Sequence, residues 1–190
     1  MLARPIVQPS AFQALLSGTP LEDCFAFWRA RRAGRAVPLK SALDPVEMPQ
    51  RILPYLFLYE VTPEGRFRCR LAGTAVCAAF QSDPTGRYLD EMIPAPVLED
   101  RLRLFREAVE RELPVVYTGT LAEPGRTWIK FKRLLTPMSI RGEHPDGIFG
   151  MVIFPELQRR RAGPRLIEEG AVELVAWATP EDLTDPDATS

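Results

Sequence analysis

Between Arg66 and Phe80, in RFRCRLAGTAVCAAF, the spacing of apolar residues changes from two to three or four. Phe67, Cys69 and Leu71 alternate with Arg66, Arg68 and Arg70, which predicts a half-buried strand. Gly73 permits a tight bend, and Thr74 can cap a short helix whose apolar residues are Val76, Cys77 and Phe80. Upstream, Leu21, Cys24, Phe25 and Trp28 follow helical spacing, with Phe27 at the edge of the stripe. Glu22 and Asp23 near its start and Arg29, Arg31 and Arg32 near its end suit the helix dipole, and Gly34 is a natural stop.

The rest of the chain reads outward from these two segments. Residues 1–20 show no sustained period and read as a flexible lead-in, and Pro45, Pro49 and Pro54 mark a wrapping connection with one helical turn near residues 45–50. YLFLYEV at 55–61 predicts a strand that pairs, through Thr62-Pro63-Glu64-Gly65, with the strand beginning at Arg66. Asp83-Pro84-Thr85-Gly86 is a turn, followed by a short helical piece with Tyr88, Leu89, Met92 and Ile93 facing the core. The clearest helix spans 95–113: Leu98, Leu102, Phe105 and Val109 recur every three or four residues, with Glu99–Arg103 and Glu107–Arg111 pairs outside. Strands follow at 115–121, 127–138 and 148–154, the first two joined by Glu123-Pro124-Gly125-Arg126. The last is almost wholly apolar, as a central strand covered on at least one face would be. Residues 166–177 can dock as strand or helix, between a basic run at 158–161 and an acidic tail from Asp182.

Composition narrows the class. Of 190 residues, 46% are hydrophobic, which is enough for one real core, and a net charge of −1 offers no bulk attraction to nucleic acid or anionic membrane. Arg126, Lys130, Lys132 and Arg133 could make one strand edge positive, but no interleaved exposed aromatics accompany them, so nucleic acid is not an expected partner. No apolar run approaches the ~18 residues of a membrane span, and Pro5 and Pro9 interrupt the N-terminus before a signal-like core, so a cytoplasmic protein is expected. Cys24, Cys69 and Cys77 are widely spaced among apolar neighbours, which favours reduced core thiols over disulfides or a metal site. RRAGR at 31–35 matches the arginine half of a cyclic-dinucleotide motif, but its Asp-x-Ser-x-x-Gly complement is absent. No nucleophile elbow, phosphate loop or His-Glu-x-x-His is present, so no enzyme is expected; Asp90 and Glu91, the carboxylates weighed for cavity catalysis, read as helix-surface groups.

Two strands, short helices, one longer helix and three strands make an α+β order that resembles the PAS domain: a five-stranded antiparallel sheet with helices over one face, here with an additional N-terminal helix. The resemblance covers residues 50–157. It rests on Ile52-Leu53-Pro54 with Phe57-Leu58, RCRLAGT at 68–74, Thr85-Gly86, and Leu134-Leu135 with Pro137 before the final glycine-containing strand. With the upstream Trp28 helix, the chain looks like the compact single-domain PAS proteins of bacteria. The implied organisation is a lead-in at 1–20, a helix and connection at 21–49, the PAS-like domain at 50–157, and a partly disordered extension at 158–190.

The resemblance implies sensing or protein interaction rather than turnover. A curved sheet under short helices leaves a cavity, with Phe67, Cys69, Leu71, Cys77, Phe80, Met92, Phe105, Met151 and Ile153 as lining candidates for a small apolar ligand. Phe25, Phe27 and Trp28 are candidates for a homodimer or partner interface, and any signal is expected to pass to a separate signalling protein. Neither haem nor flavin is expected: the long helix has no histidine, His144 lies in a polar loop, and Cys77 sits in AVCAAFQ rather than a photoreceptor motif. A dimerisation or adaptor module with a filled core is the alternative, and a small cavity enzyme a third.

Overall fold

Gly65, at a φ of 77° that a side chain disfavours, lets the chain reverse between β1 (Leu56–Val61) and β2 (Phe67–Ala72). The computed structural model describes residues 10–80, 82–123, 126–142, 144–155 and 168–184. After β2, Gly73 lies so close to the Pro54 carbonyl oxygen that a Cβ there would collide with it, and α3 (Thr74–Phe80) begins at the next residue. A 3-10 turn at Leu89–Glu91 leads into α4 (Ala95–Arg111), which ends at Glu112 in the left-handed conformation.

Three further strands, β3 (Val115–Glu123), β4 (Arg126–Met138) and β5 (Gly147–Ile153), complete the expected five. A sixth, β6 (Glu168–Trp177), comes from the stretch whose periodicity fitted strand or helix equally, and its pairing with β3 resolves that ambiguity. All pairings are antiparallel, in the order β2-β1-β5-β4-β3-β6. Every β5 residue is buried because β5 lies between β1 and β4 and is covered on both faces, which is why its sequence is continuously apolar.

Two helical layers provide that cover. On one face, α1 (Ala11–Leu16) and α2 (Pro20–Ala30) bury Phe12, Leu16, Leu21, Phe25 and Trp28 against Val116, Leu134, Met138, Phe149 and Met151. On the other, α3, the 3-10 turn and α4 pack Val76, Leu89, Leu104, Phe105 and Ala108 on Tyr59, Phe67, Tyr117, Phe131 and Val152. On the outer surface of α4, Arg111 reaches Glu107 as the spacing predicted, whereas Arg103 meets Asp100 and Glu107.

The ends of the described chain are tied together. Residues 10–20 carry α1 rather than a loose lead-in: the Ser10 hydroxyl caps the Gln13 amide at 3.1 Å and donates to Asp182 at 2.9 Å. Asp182, expected to open an acidic tail, is instead buried and also accepts from the Thr179 amide at 2.8 Å. Arg29 and Arg32 donate to the carbonyls of Asp182 and Leu183, and Arg31 pairs with Glu47, so these RRAGR-region arginines fasten the C-terminal segment and the connection to α2. Pro124 and Gly125 of the expected hairpin turn, the basic run at 158–161 and residues 185–190 lie outside the described residues.

Candidate functional site

The face under α3 and α4 is incompletely filled. A cavity of about 210 Å³ lies between the sheet and these helices, walled by Phe57, Tyr59, Val152 and Arg133 from the strands, Val76 and Phe80 from α3, and Phe105 from α4. Leu89, Met92, Ile93 and Pro94 close one side, and Ser82, Pro84, Arg87 and Glu91 complete the lining. The ring geometry shows how the wall is built: Tyr59 meets Phe105 edge to face at 5.4 Å, and Phe67 meets the same ring at 5.2 Å. Gly150 lies opposite Phe57 in the register, and a Cβ there would run into the Phe57 ring.

Arginines give this face its distinctive chemistry. Arg133 on β4 is buried, donates from Nη1 to the Tyr117 hydroxyl at 2.9 Å, and has its guanidinium 5.1 to 5.9 Å from the ring centres of Phe131, Tyr117 and Phe57. Arg101 on α4 is wholly buried, 4.9 Å from the Tyr117 ring centre and 5.0 Å from that of Phe131. At the rim, Arg66 grips Asp90 through two hydrogen bonds of 2.9 and 2.6 Å, reaches Glu91 at 2.9 Å and lies 3.7 Å from the Tyr88 ring centre. The hydrogen bond from Arg66 holds the Asp90 carboxyl below the usual carboxylate range. Asp90 and Glu91 are therefore held in an ion pair at the rim.

A second, larger hollow of about 440 Å³ opens on the opposite face, between the 40–54 connection and β1–β2. Its walls are Leu43, Met48, Leu53, Leu56, Leu58, Leu71 and Phe149, with Lys40 at one side. Size alone would favour it. The smaller cavity is the better ligand candidate because most of its walls are buried core residues and polar side chains, buried Arg133 and the exposed Ser82, Arg87 and Glu91, also line it.

The residues proposed from sequence fall into three places. Phe80, Met92 and Phe105 line the cavity; Phe67 and Cys69 are buried in the same core but do not reach its lining, and Cys77 is half-buried on α3 beside it. Leu71 is exposed and faces the second hollow, because the β1–β2 register shifts at Leu58/Tyr59 and the strand leaves the core after Cys69. Met151 and Ile153 pack under the N-terminal helices; strand alternation sends their neighbour Val152 into the cavity and these two the other way. Phe25, Phe27 and Trp28 are likewise buried within the chain, and the Trp28 indole donates to the Pro137 carbonyl at 2.8 Å, so the surface expected for a partner is occupied from inside the fold.

Burial pushes the Cys69 thiol up to about 11 and raises Cys24 and Cys77 as well, so all three are protonated thiols near neutral pH. His144 is exposed and does not line the cavity. Among the described residues no cluster of His, Cys, Asp or Glu could hold a metal ion, and no helix is long and apolar enough to cross a membrane.

Arg133 is the wall residue that a surface reading of the basic strand missed. Its signal was parity: Phe131, Arg133 and Leu135 share one side of β4, while Lys132 on the other side donates to the Leu15 carbonyl at 3.2 Å. Of that basic set, the side chain of Arg126 lies outside the described residues.

In comparison with known proteins, a family model described as a PAS domain matches residues 16–153. The match begins upstream of residue 50, so it takes in α2 as well as the sheet. No curated protein matches the chain.

Proposed function

The chain belongs to the PAS domain family, and we propose that it is a non-catalytic sensor that takes a small, largely apolar ligand between its sheet and α3–α4. PAS domains are sensory or signalling modules, and the observation that supports a ligand here is the cavity of about 210 Å³ that opens between the sheet and α3–α4 and is walled largely by core residues. An engineered apolar cavity of about 150 Å³ holds benzene, so this volume suits a single-ring molecule. Occupancy would brace α3 and the Leu89–Glu91 turn, carrying the signal to a separate protein. Paired native and denaturing mass spectra test this directly. An added mass present only in the native spectrum is the expected result; a bare protein, together with no thermal shift across a library of single-ring compounds, would overturn it.

A second reading, a module that pairs with its own copy, draws on β6. This strand ends the sheet, and Leu174 and Val175 are 51% and 37% exposed on it. A concentration-dependent dimer that Leu174→Lys dissociates would support it. A monomer at high concentration in sedimentation would sink it.

A further inference from the structure

We propose that the hollow of about 440 Å³ between the 40–54 connection and β1–β2 is a second binding site, which takes the alkyl chain of a long-chain carboxylate and sets Lys40 beside its head group. The site is separate from the ring-sized cavity under α3 and α4, so it stands or falls independently of the sensor reading.

The wall selects a chain. Leu43, Met48, Leu56, Leu58, Leu71 and Phe149 line it, and among the described residues Lys40 and Thr74 are its only polar side chains. A peptide laid there would bury amide groups with few side-chain partners, whereas an alkyl chain has no such groups to satisfy. The volume is about three times the ~150 Å³ that holds the six carbons of benzene, which gives room for about seventeen heavy atoms, an acid of about fourteen to sixteen carbons. Part of the apolar surface faces water: Leu71 on the wall is 45% exposed, and Val46, next to the wall residue Pro45, is 90% exposed. Removing such surface from water supplies the driving force.

The charge comes from Lys40. It is exposed at one side of the hollow, and among the described residues its ammonium group has no hydrogen-bond or ion-pair partner. The carboxylates of the same connection are engaged elsewhere: Asp44 accepts from the Val46 amide at 2.9 Å, and Glu47 pairs with Arg31 at 2.6 Å. An anionic head at the rim therefore meets a cation that no described carboxylate neutralises. Because an exposed ion pair adds little affinity, the chain sets the strength of binding and Lys40 sets the preferred sign of the head group.

Titration calorimetry below the micellar concentration of each probe separates the two contributions. From octanoate to dodecanoate, binding to one site is expected to tighten by about tenfold for each two methylenes added. Dodecanoate is expected to bind at least about threefold tighter than dodecylammonium, and Lys40→Glu to reverse that order. Leu71→Asp, at an exposed position, should weaken dodecanoate by about tenfold or more. Val152→Phe, which fills the other cavity, should leave it within about twofold.

No dependence on chain length, or a head-group order that Lys40→Glu leaves unchanged, would overturn the assignment. So would dodecanoate binding that survives Leu71→Asp but is lost in Val152→Phe. That result would put the chain in the smaller cavity and leave the sensor reading standing. A dimer in sedimentation that Leu71→Asp dissociates and dodecanoate does not would give the hollow to a second copy of the chain instead.

Discussion

One sheet carries two different cores on its two faces. Under α1 and α2 the core is filled with rings and aliphatic chains: Phe12, Phe25 and Trp28 pack together, Phe25 edge to face with Phe12 at 5.0 Å and stacked on Trp28 at 6.1 Å. Under α3 and α4 lie two buried arginines, Arg133 from β4 and Arg101 from α4, with aromatic walls and a cavity. Ring packing and the Trp28 hydrogen bond fix the first face beneath α1 and α2, with its own hollow lying apart under the 40–54 connection, while packing beneath α3 and α4 leaves a cavity among the core residues themselves. The difference shows how a small domain can anchor a sheet on one side and keep room beside it on the other.

The largest test of this contrast is Trp28→Ala. It removes a wholly buried indole and its hydrogen bond to Pro137, and is expected to cost about 3–5 kcal/mol in urea unfolding, without a change in oligomeric state. A loss under about 1 kcal/mol would show that the N-terminal face is not the anchor. Gly150→Ala comes next, because its Cβ would press on both the Phe57 ring and the Leu134 carbonyl oxygen. A loss of about 1–3 kcal/mol is expected, with altered chemical shifts for Phe57 and its cavity neighbours.

The sharpest comparison uses adjacent residues on β5. Ile153→Phe forces extra volume into the filled face and should cost about 1–3 kcal/mol. Val152→Phe puts the same ring toward the cavity and should cost less while removing ligand room. Equal losses in thermal unfolding would mean that the two faces are packed alike.

The smallest expected effect is electrostatic. The folded pKa of Asp90 is depressed by Arg66, so its contribution to stability is fully present above the unfolded value near pH 4 and is lost as pH falls through the lower folded value. Asp90→Asn should therefore flatten the acid limb of the stability curve below about pH 4 and leave its slope at pH 6–8 unchanged. Identical acid limbs would show that the rim ion pair is too solvated to matter.

Much of the fold was legible because local patterns agreed with tertiary demands. The alternation of Phe67 and Cys69 with the intervening arginines, the turn at Gly65 and the helical stripe of α4 each described an element that formed as predicted. The cavity was only partly legible. Phe80, Met92 and Phe105 emerged as lining from their apolar character, but the same reasoning also selected Met151 and Ile153. When both faces of a sheet are covered, hydrophobicity no longer indicates which face a residue serves. Arg133 illustrates the converse: charge suggested surface, and only its parity with Phe131 and Leu135 pointed inward.

The sequence by itself determined the order of elements from α2 to β5, the antiparallel hairpins and the family resemblance, because periodicity, turn residues and caps act over a few neighbouring positions. Tertiary structure alone decided that residues 168–177 would add a sixth strand and that Trp28 would serve the chain's own core. It also decided that Arg133 would stand in a cavity wall. Each of these depends on which distant surface is available to receive the segment, and that is settled only when the whole sheet has closed around its two cores.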